Sequence, residues 1–216
     1  DINTNTGIIT VSNVTKMHYE TSPTFNITIK VVEGGGKSAT AVVTIDLNDL
    51  NEKPQWDDGK DIYEVFENTA NATVIAKIEI VDPDASDKAD VNQFIATLAD
   101  KKTSTADGRL RAQDLFGIAV AKDTSTGKIY TVISVTNQAK LNYEAIDTVF
   151  NVTLTLTNHA GATDAKTLTL DRQIKVKDEN EKPAVANKTF NIKENPKVGS
   201  SVGTVTGTDP DTYNAV

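Results

Sequence analysis

The 216-residue sequence has no cysteine, only 6% aromatic residues and no long apolar run. The absence of cysteine excludes disulfides, thiol catalysis and cysteine-based zinc sites. No apolar run reaches the roughly 20 residues that a membrane-spanning helix needs. The two histidines, His18 and His159, have no neighbouring nucleophile or pair of acids, and we interpret both as surface residues. Because nucleophile–base pairs and cofactor loops are also lacking, the chain is not predicted to be an enzyme.

Acidic and β-branched residues are abundant instead. The net charge is -8 and the isoelectric point is about 4.8, so nucleic acid is an unfavourable partner and cations are favourable ones. Val, Ile and Thr dominate the apolar stretches, which favours strands over helices. The composition therefore predicts an all-β, cation-binding protein.

One acidic hexapeptide occurs twice, as DLNEKP (49–54) and DENEKP (178–183), 129 residues apart. Further pairs follow in the same order at offsets of 120 to 127 residues: NTNTGIIT (3–10) with DTSTGKIY (123–130), MHYE (17–20) with LNYE (141–144), VFENT (65–69) with IKENP (192–196), and VDPDA (81–85) with TDPDT (208–212). Ordered matches at such similar offsets indicate an internal repeat.

The repeat divides the chain into three parts. Residues 1–54 are expected to be the C-terminal half of one repeat, residues 55–183 a complete repeat, and residues 184–216 the N-terminal half of a third. The sequence would then start and stop within a repeat. We expect neither flanking half to bury a complete core alone.

Alternation of apolar and polar residues predicts the strands. The predicted inward-facing positions are Phe25, Ile27, Ile29 and Val31, then Phe150, Val152, Leu154 and Leu156, then Val74, Ala76, Ile78 and Ile80, and finally Leu168, Leu170, Ile174 and Val176. Turn signals EGGGK (33–37), TADG (105–108) and HAGATD (159–164) separate them. The stretch 86–121 is expected to hold one or two strands and a long loop, and 112–122 has room for a helical turn. Short strands of this kind predict an antiparallel β-sandwich.

The recurring acidic motifs fall at strand ends, which a sandwich brings together at its two poles. At the junction that follows the complete repeat, this placement predicts a cluster of carboxylates with Asn180 as a neutral oxygen donor. Its acids are Glu67, Glu144, Asp178, Glu181, Asp209 and Asp211. So many carboxylates repel one another unless a cation lies among them. An all-oxygen site without cysteine favours Ca²⁺.

The motifs FENT, DPD, LNYE and DENEKP together resemble those of the cadherin repeat family, with a shortened linker similar to that of microbial cadherin-like modules. The resemblance covers nearly the whole chain and implies tandem Greek-key, Ig-like sandwiches with Ca²⁺ at each interdomain junction. It implies a first junction formed by Glu20, Asp49, Asn51, Glu52, Asp82 and Asp84, with Asn158 at the position of a further ligand. Its first-strand Glu would precede Asp1. The family's LDRE-type Asp is His18 in one copy and Asn142 in the other, so we expect two ions per junction rather than three.

The leading hypothesis is an extracellular, cell-surface tandem module that interdomain Ca²⁺ makes rigid, serving adhesion or the shaft of a surface assembly. Its partners would be other copies or neighbouring repeats of the same protein, with surface proteins and polysaccharide left open, and with no nucleic acid and no membrane span. The alternative is a carbohydrate-binding module of a secreted polysaccharide-degrading protein. Trp56 distinguishes the two hypotheses, because it is either a packing residue at the junction or a sugar-stacking platform.

Overall fold

The structure, a computed structural model, describes residues 1–84, 87, 90–102 and 109–211. Its strands follow the predicted alternation. They are β1 (Thr24–Val32), β2 (Ser38–Asp46), β3 (Gln55–Asp57), β4 (Ile62–Phe66), β5 (Val74–Val81), β6 (Phe94–Asp100), β7 (Phe116–Lys122), β8 (Ile129–Val135), β9 (Val149–Asn158), β10 (Lys166–Lys177), β11 (Ala184–Val185) and β12 (Gly207–Thr208). Short 3₁₀ turns cover Val14–Lys16, Val91–Gln93, Ala112–Asp114 and Gln138–Lys140.

Strands β3 to β10 form two four-stranded sheets, with orders β4-β10-β9-β6 and β3-β5-β8-β7. All pairs are antiparallel except β4 with β10, which run parallel. The inner faces of the two sheets share one hydrophobic core, in which Phe116 of one sheet meets Phe150 of the other edge to face. The predicted all-β sandwich is confirmed.

The alternating residues of β9 and β10 lie inward as predicted, with Leu154, Leu156 and Ile174 fully buried. Val31 and Val74 are exceptions, since they are 67% and 53% exposed. The other predicted positions of β5, namely Ala76, Ile78 and Ile80, are buried. The register of β5 against β8 shifts between Val74 and Ala76. A bulge of this kind reverses the alternation locally, so Val74 points outward.

The stretch 86–121, for which the sequence showed no regular pattern, contains β6 and most of β7, each of which is one of the two edge strands of its sheet. The helical turn expected within 112–122 is the 3₁₀ turn Ala112–Asp114, which leads into β7. The expected TADG turn (105–108) lies outside the described residues. Within the described part of the chain, no helix is long and apolar enough to cross a membrane.

The two flanking segments repeat pairings of the central sandwich. Hairpin β1–β2 aligns Phe25 with Ile45, and β9–β10 aligns the equivalent Phe150 with Ile174. Ladder β11–β12 aligns Ala184 with Thr208 (as β3–β5 aligns Gln55 with Val81). Nevertheless, the only residues outside 55–183 that are buried are Pro54 and Asp211, among those described. The flanks therefore have the local pairing of the central repeat without its core.

Candidate metal centre

Four carboxylates meet where the first linker enters the central sandwich. Glu20 comes from the turn before β1, Asp49 and Glu52 from the linker after β2, and Asp84 from the segment after β5. One oxygen of each lies within 4.8 Å of the others. The sequence places these residues in three separate segments, and the fold brings them together.

Backbone hydrogen bonds fix this cluster. The Glu52 N–H donates to Asp84 Oδ2 at 2.9 Å, which ties the linker to the sandwich. The Asp84 N–H donates to Asp82 Oδ1 at 3.0 Å, which holds the DPD turn closed. Both aspartates are buried, whereas Glu20 and Asp49 of the same cluster are exposed, so the junction is partly open to water.

The second junction holds an equivalent cluster of Glu67, Glu144, Asp178 and Glu181, again with oxygens within 4.8 Å of one another. Glu67, at the end of β4, is fully buried. Its two oxygens accept hydrogen bonds from Tyr143 N at 2.7 Å and Glu179 N at 3.0 Å. The first-strand Glu, the NYE Glu and the linker thus lie at one pole.

The segment after β12 repeats the DPD geometry at this second junction. The Glu181 N–H donates to Asp211 Oδ2 at 2.8 Å, and the Asp211 N–H donates to Asp209 Oδ1 at 3.2 Å. Asp211 is buried and interacts with the Asp178 carboxyl group. Neither Asp209 nor Asp211 is among the four clustered carboxylates. Asn180 is exposed, and its amide donates to the Glu181 carbonyl oxygen at 3.3 Å.

A third group, Asp82, Asp84 and Asp87, adjoins the first junction. The amide nitrogen of Asn158 is surrounded by four oxygen acceptors: Asn51 Oδ1 at 2.8 Å, the Glu52 carbonyl at 2.9 Å, Asp82 Oδ2 at 3.0 Å and Asp87 Oδ2 at 3.3 Å. An NH₂ group carries only two hydrogens. The pocket therefore offers more acceptors than Asn158 can satisfy.

The sequence analysis missed Asp87, although the spacing in DPDASD (82–87) places a third acid close to the DPD motif. Asp87 is fully buried and accepts a hydrogen bond from His159 Nε2 at 2.7 Å. The prediction that His159 is only a surface residue is therefore wrong. With its side chain 24% exposed, His159 covers one side of the acidic pocket.

The pKa values at the first junction show crowded, desolvated carboxylates. Burial and the neighbouring Asp84 carboxyl raise the pKa of Glu52 to about 7. Burial also raises the pKa of Asp82 to about 6, against the hydrogen bonds from Asp84 N–H and the Asn158 amide. Desolvation and the charge of Asp84 raise the pKa of Asp49. Each carboxylate is thus harder to ionise in the folded protein than in water.

The second junction shows the same effect. Desolvation, together with the charges of Glu67 and Asp178, raises the pKa of Glu144. Desolvation, together with the charges of Asp211 and Glu67, raises the pKa of Asp178. None of the ion pairs within the described part of the chain involves these carboxylates.

The residues at both junctions fit a hard cation. Oxygens that share a Ca²⁺ ion at roughly 2.3–2.6 Å lie within about 5 Å of one another, as these do. Three buried oxygens have no hydrogen-bond partner among the described residues, namely Glu52 Oε2, Glu181 Oε2 and Asp211 Oδ1. Buried acceptors without partners are costly, and a metal ion would satisfy them.

Trp56 lies close to the first junction and packs inward. It contacts both clusters of core residues, and its Nε1–H donates to the buried Thr131 Oγ1 at 2.8 Å. An indole held in this way is a packing residue, which removes the proposed aromatic platform for a sugar ring.

Comparisons with known proteins show similarity to cadherins and protocadherins. No protein-family profile matches the chain. Cadherin-7 of Gallus gallus is 30% identical over 196 residues, which cover 86% of this chain and 22% of cadherin-7. The chain spans about a fifth of the length of the curated relatives first matched. Among solved structures, mouse protocadherin-24 EC1-3 aligns with TM-score 0.60 and 22% identity, covering 98% of this chain and 63% of that one. Human CDH23 EC21-23 aligns with TM-score 0.59 and 22% identity, covering 98% and 61%.

Proposed function

Since the chain belongs to the cadherin repeat family, we propose that it is a calcium-binding tandem segment whose two interdomain junctions become rigid when Ca²⁺ binds. Because its relatives are cadherins, we place this segment outside the cell or at the cell surface. In the longer protein the segment would serve adhesion or form part of the shaft of a surface assembly. Its partners would be neighbouring repeats or other copies of the same protein.

The main support for this proposal is that each junction gathers carboxylates from both sides of its linker proline. At the first, Glu20, Asp49 and Glu52 lie on one side of Pro54 and Asp84 on the other. At the second, the four clustered acids precede Pro183, and Asp211 follows it. Groups on both sides of a linker can couple the orientation of one repeat to that of the next.

Charge repulsion supplies the mechanism. Carboxylates this close repel one another strongly when all are ionised. Desolvation first, and this repulsion second, raise the pKa values of Asp49, Glu52, Glu144 and Asp178. A bound Ca²⁺ would supply the positive charge that lets them ionise together. The backbone hydrogen bonds Glu52–Asp84 and Glu181–Asp211 already hold the linkers against the adjoining segments.

The first junction supports two neighbouring ion positions. Glu20, Asp49 and Glu52 would line the outer position, and Asp82 and Asp87 the inner one. The Asn158 side-chain oxygen accepts hydrogen bonds from Asn51 Nδ2 and Lys166 N–H, and we assign it to neither position. Asp84 belongs to both acidic groups and would bridge them. Two ions at the first junction are therefore part of the proposal.

The repeat boundaries belong to the same proposal. Residues 1–54 and 184–216 would be parts of the flanking repeats, and residues 55–183 the complete one. The matched registers of β1–β2 with β9–β10 and of β11–β12 with β3–β5 support this division over the described residues. The relatives matched are cadherins and protocadherins, and we retain the prediction that the chain is not an enzyme.

Calcium titration of the full chain by isothermal calorimetry tests the proposal. We expect high-affinity sites at both junctions, with loss of first-junction sites in Asp84→Asn and of second-junction sites in Glu67→Gln. Asp61→Asn is the matched control, because that side chain is 94% exposed and lies in neither cluster. Retention of every site in both cluster variants would contradict the assignment.

Small-angle scattering then tests rigidity. In dilute protein solution, we expect Ca²⁺ to narrow the distribution of interdomain distances, both in the native chain and in the Asp61→Asn variant. The same addition should have a smaller effect in Asp84→Asn. Identical scattering with and without Ca²⁺ would show that the ions do not control the junctions.

A further inference from the structure

Two asparagine side chains join the first linker to the end of β9. The Oδ1 atom of Asn158 accepts hydrogen bonds from the Lys166 N–H at 3.0 Å and from Asn51 Nδ2 at 3.2 Å. Because a backbone N–H can only donate, the Lys166 bond fixes which end of the Asn158 amide is the oxygen. The NH₂ group of Asn158 therefore faces the linker and the acidic pocket.

Asn51 completes the contact from the linker side. Its Oδ1 accepts a hydrogen bond from Asn158 Nδ2 at 2.8 Å, so the two amides form a reciprocal pair. Its Nδ2 also donates to the Asp164 carbonyl oxygen at 2.7 Å, in the turn between β9 and β10. One linker side chain is thus bonded both to the end of β9 and to the turn that follows it. We call Asn51 and Asn158 together the amide clasp.

The amide clasp is shielded from water. Asn158 is fully buried and Asn51 is half-buried. Release of the linker would remove from Asn158 its bonds to Asn51 and to the Glu52 carbonyl oxygen. Breaking hydrogen bonds in such surroundings is unfavourable, because it leaves buried polar groups without partners. The docked position of the linker is therefore favoured by neutral amides, without the help of a cation.

An amide suits position 158 better than a carboxylate does. The Asn158 nitrogen lies 2.8–3.3 Å from four oxygens, two of which belong to Asp82 and Asp87. A carboxylate oxygen at this point would repel all four of them and add a further negative charge. The NH₂ group instead donates to this set of acceptors, which includes atoms of both the linker and the central repeat.

We propose that the amide clasp keeps the first linker docked on the central repeat in the absence of Ca²⁺. The hairpin β1–β2 precedes the clasp in the chain, as do Glu20 and Asp49, so the orientation of the hairpin still depends on the ion. The first junction then has two levels of control, since hydrogen bonds hold the linker and Ca²⁺ holds the preceding repeat. This goes beyond the proposed calcium-binding function, because the docking itself needs no metal.

Hydrogen exchange of the Glu52 backbone amide, followed by NMR in the full calcium-free chain, tests the docking. This N–H donates to the buried Asp84 carboxylate, so its exchange reports release of the linker. We expect Asn51→Ala to accelerate the exchange by about tenfold or more, because three hydrogen bonds are lost. Asn48→Ala is the matched control, since it removes an exposed amide from the same linker and should leave the exchange unchanged. Equal exchange in Asn51→Ala and in the native chain would overturn the proposal.

A double-variant cycle separates the amide pair from a general loosening of the linker. In an Asn158→Ala background, Asn51→Ala should accelerate the exchange less than it does in the native chain, because only its bond to Asp164 is left to lose. Fully additive effects would contradict the pairing. Unchanged Trp56 fluorescence would verify that the central repeat is folded. Asn51 lies in the linker, so the single variant remains a test even where Asn158→Ala destabilises the repeat.

Addition of Ca²⁺ distinguishes the clasp from the proposed calcium sites. Saturating Ca²⁺ should slow the Glu52 exchange in Asn51→Ala, because Glu52 and Asp49 would then share an ion. Exchange that stays fast in this variant would count against the calcium sites and leave the clasp intact. A native chain in which the Glu52 amide is protected only after Ca²⁺ is added would overturn the clasp.

Discussion

Removing Ca²⁺ should make the stability of the central repeat fall as pH rises from about 5 to about 8. Asp82, Glu52, Asp49, Glu144 and Asp178 all have raised pKa values. The folded protein therefore retains protons that the unfolded chain has already released, and each step up in pH favours unfolding. The loss begins above the ordinary carboxyl pKa values of 3.8 and 4.5 and is complete at about pH 8, above the raised pKa of Glu52 at about 7.

Other titrating groups do not reverse this trend. The hydrogen bond to Asp87 raises the pKa of His159, so its stabilising contribution is also lost with increasing pH. Hydrogen bonds and ion pairs lower the pKa values of Asp114, Asp123 and Asp171, but these groups act below the ordinary carboxyl range. Between about pH 5 and 8, the pH dependence of the calcium-free protein's stability is thus set by the junction acids and His159.

The size of this loss in the free energy of unfolding follows from the pKa of Asp82. Raising its pKa from 3.8 to about 6 corresponds to about 3 kcal/mol of pH-dependent free energy. Screening by water at the partly open junction reduces this to about 1–2 kcal/mol. For a domain of this size, that lowers the melting temperature by about 4–8 °C.

Thermal unfolding followed by the fluorescence of Trp56, the only tryptophan, measures this effect. Calcium should be removed on a chelating resin, because soluble chelators lose affinity in acid. Saturating Ca²⁺ should restore stability at the higher pH, and Asp82→Asn should flatten the profile of the calcium-free protein while Asp61→Asn leaves it unchanged. A calcium-free melting temperature that stays constant or rises with pH would refute the electrostatic reasoning.

Three further outcomes are expected. Leu154→Ala should lower the free energy of unfolding in urea by about 2–5 kcal/mol, whereas Ile29→Ala at the equivalent position of β1 should cost less than about 1 kcal/mol in dilute protein; equal costs would show that the flank has its own core. Asn158→Asp should strengthen calorimetric Ca²⁺ binding at the first junction and destabilise the calcium-free protein, since an amide donor becomes another buried acid; weaker binding would argue against a ligand there. Trp56→Phe should cost about 1 kcal/mol or more in urea, because Thr131 loses its indole partner, and a neutral effect would contradict inward packing.

Much of the fold could be predicted because period-two alternation and turn residues are local signals. Leu154, Leu156 and Ile174 alternate with polar neighbours, so their burial follows from strand geometry alone. Val74 was misplaced because the bulge that turns it outward depends on how β5 meets β8. Asp87 and His159 were missed as partners because they lie 72 residues apart, and only the packing of β9 beside the DPD segment brings them into contact.

The sequence by itself determined the strand pattern, the repeat and the acidic motifs at its boundaries, because each depends on residue type and spacing along the chain. Only the tertiary structure decided which acids share a cluster. Asp209 carries the motif but is not among the four clustered carboxylates of the second junction, whereas hydrogen bonds from Tyr143 and Glu179 hold Glu67 among them. Carboxylates interact through space, so their pKa values and their capacity to hold a cation depend on distances that the folded chain sets.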